Sequence, residues 1–122
     1  MAAGRMPKFE KSSESVVQLF NRMTHDSPGE RRTMFGYPAL FLNGNMVTGT
    51  FGPQIIFRFD PSSHELLKMK YRAVRDFSPM PGKVSKGSLA VQAIESNQNI
   101  LQDLLTQALS YAHSLPPKKS AK

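Results

Sequence analysis

Three kinds of residue in this chain could carry chemistry: histidines for a metal, serines for nucleophilic work and a glycine-bracketed lysine loop for phosphate. His25, His64 and His113 lie far apart, and none has a partner ligand at i+3 or i+4, so the spacing predicts capping or surface histidines and no metal site. Ser, His and Asp are all present, but no Gly-x-Ser-x-Gly elbow occurs. The serines fall mostly at caps, loops and tails, where their hydroxyls compete for backbone groups. The nine acidic residues are scattered and form no catalytic pair. Gly82-Lys83-Val84-Ser85-Lys86-Gly87 has the outer spacing of a phosphate loop, yet Ser88-Leu89 stands where Lys-Ser/Thr is required, and a strand follows instead of a helix. No catalytic residue, cofactor, metal or small-molecule ligand is expected on these grounds, and the chain is read as a non-enzyme.

The charge points elsewhere. The 122 residues carry a net charge of +7 and no cysteine, which removes disulfides, thiolate metal sites and cysteine nucleophiles together. Arg5, Lys8 and Lys11 in residues 1–11, and Lys118, Lys119 and Lys122 in residues 116–122, supply much of the excess. Both tails are expected to be flexible. Between them, residues 12–115 read as a single domain. One internal stretch is basic: Lys68, Lys70, Arg72, Arg75, Lys83 and Lys86 stand against Asp76 alone. These six are candidates for contact with an acidic partner or with nucleic acid, the latter weak and independent of base sequence. No apolar run approaches the roughly 20 residues of a membrane span, and no signal peptide is evident, so a cytoplasmic protein is expected.

The elements that must position these residues follow from periodicity and turn chemistry. Val16, Phe20 and Met23 mark a helix over residues 12–23, capped by Ser12 or Ser13. Asn43-Gly44 predicts a type I′ hairpin turn and Gly52-Pro53 a type II′ turn, so residues 37–59 read as a three-stranded antiparallel meander. Two-residue loops set Leu42 opposite Asn45, Leu40 opposite Val47, Phe51 opposite Gln54 and Thr48 opposite Phe57. Alternation then gives Tyr37, Ala39, Phe41, Met46, Thr48, Thr50, Ile55, Phe57 and Phe59 to the face under the helices. Pro38, Leu40, Leu42, Val47, Gly49, Phe51, Ile56 and Arg58 fall on the other. Leu40, Leu42, Val47, Phe51 and Ile56 would make an apolar patch that monomers avoid. They are the expected seat of a protein partner, most simply a second copy, unless residues of the 73–87 connection or the N-terminus fold over them. A short helix over 61–70, capped by Asp60 or by a Ser62–Glu65 box, should turn Leu66, Leu67 and Met69 inward. An irregular connection over 73–87 leads to a fourth strand from Ser88. The last helix spans 97–114, with Ser96 as its cap and an apolar stripe of Ile100, Leu101, Leu104, Leu105, Ala108 and Ala112. The fold class is α+β: an antiparallel meander plus a fourth strand, with N- and C-terminal helices packed on one face.

Two blocks carry a family likeness. Arg31-Arg32-Thr33-Met34-Phe35-Gly36-Tyr37 continues through Phe41-Leu42-Asn43-Gly44-Asn45-Met46 to Gly49, Phe51 and Arg58. Phe77-Ser78-Pro79-Met80-Pro81-Gly82-Lys83 then leads through Lys86-Gly87 into a strand, and the chain closes on Tyr111-Ala112-His113-Ser114-Leu115-Pro116-Pro117-Lys118-Lys119. Together they resemble the TfoX/Sxy N-terminal domain family, over residues 16–119. The likeness implies a curved antiparallel sheet with helices on one side, and a role in bacterial competence-gene regulation with the transcription machinery, without catalysis. The second, helical domain of full-length regulators does not follow in this sequence, so a stand-alone relative is implied. Within the first block, Met34 and Phe35 are read as packing residues and Gly36 as the turn into the first strand.

Overall fold

The computed structural model describes residues 13–34, 37–80 and 82–117. Phe35, Gly36 and Pro81, and the tails over 1–12 and 118–122, lie outside the described residues. The elements run α1 (Glu14–Met23), β1 (Glu30–Met34), β2 (Tyr37–Leu42), β3 (Asn45–Phe51), β4 (Gln54–Arg58), a 3-10 turn (Pro61–Ser63), α2 (His64–Lys70), β5 (Arg75–Asp76), β6 (Ser88–Gln92), a second 3-10 turn (Glu95–Asn97) and α3 (Gln98–Ser114). The strands form one antiparallel sheet in the order β1-β2-β3-β4-β6-β5. The chain is therefore α+β, with terminal helices as expected, and with two more strands than the meander and its fourth strand predict.

The two turns form where their chemistry places them. Asn43 and Gly44 both take positive φ, at 54° and 82°, and Gly52 takes 58°, the left-handed values these hairpin turns require. Leu42 pairs with Asn45 and Phe51 with Gln54. Between these fixed ends the register departs from simple alternation. Leu40 pairs with Thr48, not Val47, because a β-bulge interrupts the β2–β3 ladder at Leu40/Phe41. The extra residue is Val47. A bulge lets two neighbours point to one side, and Val47 and Thr48 are both fully buried. The Thr48 hydroxyl donates to the Ile56 carbonyl at 2.6 Å.

One face of the sheet is sealed by all three helices. Phe20 and Leu19 of α1, Leu67 of α2, and Leu101, Leu104, Leu105 and Ala108 of α3 pack with Leu40, Val47, Ile55, Phe57, Leu89 and Val91. Each of the Leu, Ile, Val and Phe side chains removed from water contributes on the order of 1.5–3 kcal/mol. Of the residues expected inward on α2, only Leu67 is; Leu66 and Met69 are 67% and 80% exposed, because seven residues make too short a helix to bury more than one edge. The stripe on α3 packs as its period predicts, with Ile100 at its margin. Its N-cap is Asn97 and not Ser96, since a 3-10 turn precedes the helix. Arg31 fastens β1 to α1, donating to the Asn21 side-chain carbonyl at 2.9 Å and to the Thr24 hydroxyl at 2.6 Å. Past α3, the Asn45 side-chain amide donates to the Pro116 carbonyl at 3.0 Å, so the packed domain reaches at least that residue. Among the described residues, no helix is long and apolar enough to cross a membrane.

Ser13 caps α1 through the Val16 N–H, and Asp60, not Ser62, caps the turn before α2. The Asp60 carboxylate accepts from the Ser62 N–H and the Ser62 hydroxyl, each at 3.0 Å. These bonds hold its pKa below the ordinary 3.8. A carboxyl whose folded pKa is depressed adds stability above its unfolded pKa and loses it as pH falls through the folded value. Asp60→Ala should therefore lower the melting temperature at pH 7, with the gap to the parent closing below pH 3.8. Calorimetry across that range checks it; a gap independent of pH would contradict the cap.

Candidate functional site

Among the described residues no helix packs on the second face of the sheet, and this helix-free face is the candidate contact surface. Paired residues of an antiparallel ladder share a face, so one row runs across the sheet through Ala39, Gly49, Ile56 and Ala90. The row is small for a reason: a Cβ at Gly49 would sit 3.2 Å from both the Pro38 carbonyl oxygen and the Ala39 Cβ. Phe77 enters from the connection between β5 and β6 and packs on Ile56 and Ala90, with Met46 and Phe51 at the border. Its ring meets Phe51 edge-on at 5.0 Å between centroids, and Phe51 stacks on Tyr37 at 5.3 Å. At the far end, Arg32 lies 4.8 Å over the Phe41 ring and pairs with Glu30 at 3.1 Å.

The connection does not wander. The Ser85 N–H donates to the Phe77 carbonyl at 2.8 Å, Met80 and Lys83 bridge each other, and Gly82 takes φ 80°. The Ser78 hydroxyl lies 2.8 Å from the Met80 carbonyl and 2.7 Å from that of Lys83. These contacts tie the described residues on either side together and leave Met80 46% and Val84 57% exposed. It runs into β6, a strand, as the rejection of a phosphate loop anticipates.

The expected partner patch is divided by the bulge. Leu40 and Val47 are 1% and 0% exposed in the helix-side core, and Leu42 packs against it. Only Phe51 and Ile56 of the five stand on the helix-free face, with Met46, Tyr37, Ala39 and Phe41 taking the places that alternation assigns to the others. Phe77 supplies the cover that the 73–87 connection was expected to offer as the alternative to a partner.

The six basic candidates are likewise divided. Lys68 is held by Asp76 at 2.8 Å and Glu65 at 3.1 Å, which keep its pKa above the usual lysine value. Lys70 lies 5.3 Å over the Tyr71 ring in the last turn of α2, and Arg72 is in the exposed turn that follows. Arg75 pairs with Ala90 and so belongs to the helix-free face, next to the connection bearing Lys83 and Lys86. Arg58, opposite Ser88, joins them there. Its signal in the sequence is its position as the arginine on the outward side of a meander strand.

The histidines stay apart. His25 contacts Asp26 at 2.9 Å on the surface, His113 is exposed near the end of α3, and His64 is buried with Nε2 3.3 Å from the Phe59 carbonyl. His64 is thus a packed residue and not a surface one. Among the described residues, no three potential ligands gather to hold a metal. No protein-family model, curated protein or solved structure matches the chain.

Proposed function

We propose that this chain is a non-enzymatic regulatory domain that works by protein–protein contact, a relative of the TfoX/Sxy N-terminal domains. The observation that supports it most is the asymmetry of the sheet. All three helices pack on one side, while the other carries an apolar cluster that continues through Phe77 into a tied connection with Met80 and Val84 exposed. Exposed apolar side chains on a tied segment are suited to binding, because little order has to be imposed on association. Several of the side chains that could carry chemistry are otherwise engaged: Ser13 and Asp60 in caps, Lys68 in ion pairs and His64 in packing.

Weak nucleic-acid binding is the second reading, favoured by Arg75, Lys83 and Lys86 lying without a carboxylate partner among the described residues. Its weakness is the state of the rings: Tyr37 and Phe77 are buried, and stacking on bases needs exposed aromatic planes. A photo-crosslinking residue placed at Val84 should capture a protein in the cells that make the chain, while the same residue at Gln18 on α1 should not. Equal capture at both positions, or capture of nucleic acid alone, would refute protein contact through this face. An adduct at twice the chain mass would name the partner as a second copy.

A further inference from the structure

We infer that the partner's seat is the end of the helix-free face where β4, β6 and β5 meet, and that it takes an acidic protein segment carrying apolar side chains. The inference rests on the reading of the chain as a protein-contact domain. Arg58 pairs with Ser88, and Arg75 pairs with Ala90. Ser88 and Ala90 are two apart on β6 and share its face, so the two arginines flank one strand on one side, over small residues. Lys86 precedes Ser88 by two residues. Lys83 sits on the turn anchored to Phe77.

None of Arg58, Arg75, Lys83 and Lys86 makes an ion pair among the described residues. The carboxylates nearest in sequence are otherwise engaged: Asp76 pairs with Leu89 on the helix side and is taken by Lys68, and Asp60 accepts from the Ser62 N–H and hydroxyl. Four uncompensated cations at one end of a face attract negative charge and steer its approach. A second copy would bring the same four cations to a two-fold contact here, and like charges oppose that pairing. Nucleic acid would satisfy the charge but not Met80 and Val84, whose exposed side chains beside the cations have apolar surface to bury. An acidic segment with interspersed apolar residues satisfies both, and methionine adapts to varied shapes.

Fluorescence anisotropy with a labelled peptide of alternating Glu and Leu tests this, against alternating Lys and Leu, polyglutamate and poly-dT. The Glu–Leu peptide should bind most tightly. Arg58→Glu with Arg75→Glu should weaken it about tenfold, and Met80→Ser with Val84→Ser about fivefold. Circular dichroism establishes that each variant is folded; should the strand pair fail, Lys83→Glu with Lys86→Glu carries the same test from the turn. Tighter binding of poly-dT, equal binding of both charged peptides, or indifference to charge reversal would overturn the inference. A protein captured at Val84 whose binding survives charge reversal would overturn it while leaving the contact function standing. Capture of no protein at Val84 would remove the function itself.

Discussion

Leu40→Lys is expected to remove most or all of the domain's stability. Leu40 lies in the core between the sheet and the helices, so removing its side chain alone forfeits about 2–5 kcal/mol in transfer and cavity terms. The lysine that replaces it meets no carboxylate in the core, since no Asp or Glu is buried among the described residues. Its cross-strand neighbour on the same face is Arg31, already committed to α1 through Asn21 and Thr24. The new ammonium must either stay charged in an apolar layer beside a guanidinium or shed its proton against its ordinary pKa. The total should reach or exceed about 5 kcal/mol, against the roughly 5–15 kcal/mol that holds a domain of this size together. Urea titration followed by circular dichroism would show the native baseline shortened or lost. Met80→Lys, on the exposed turn, should stay within about 0.5 kcal/mol of the parent. Had simple alternation held, Leu40→Lys would have left a protein as stable as the parent with a more polar surface, so an undiminished stability would mean that the bulge is misplaced.

That contrast shows where the fold was legible in the sequence. Asn43-Gly44 and Gly52-Pro53 fix hairpins by local backbone chemistry, and α3 by a long period, so both read directly. Strand β4 reads correctly too: Ile55 and Phe57 go under the helices and Ile56 faces away. The bulge at Val47 leaves no composition signal, because valine, threonine and leucine suit either face of a strand, and one inserted residue reverses every assignment on β2. β1 was hidden for another reason. Glu30, Arg31, Arg32 and Thr33 show no apolar alternation, and the strand is held at the sheet edge by its ladder and by polar bonds from Arg31. Charge on an edge strand is how sheets avoid pairing with further strands, which makes such strands hard to see. The site was legible as two fragments, the outward face and the basic connection. Their union through Phe77 depends on a tertiary contact between strands far apart in sequence.

Phe77→Ala should expose how much that union matters. Phe77 is buried against Ile56 and Ala90 and meets Phe51 edge-on. Phenylalanine to alanine in a core costs about 3–5 kcal/mol. This cluster is small and lies on one side of a sheet with no helix above it, so the lower end, about 3 kcal/mol, is expected. The loss should not spread evenly. β5 is only two residues long, and the connection after it is tied down by the Phe77 ring, the Ser85-to-Phe77 hydrogen bond and the Ser78 contacts. With the ring gone, residues 75–87 should open by themselves before the helices do. Hydrogen exchange would then show amides of 75–87 losing protection by more than those of α3, and binding of the Glu–Leu peptide falling further than global stability. The reason is that Arg75 and Lys83 leave their fixed places when the segment opens. Equal loss of protection in 75–87 and α3 would instead make the connection part of one cooperative unit with the core, and Phe77 a core residue without a separate hold on the contact surface.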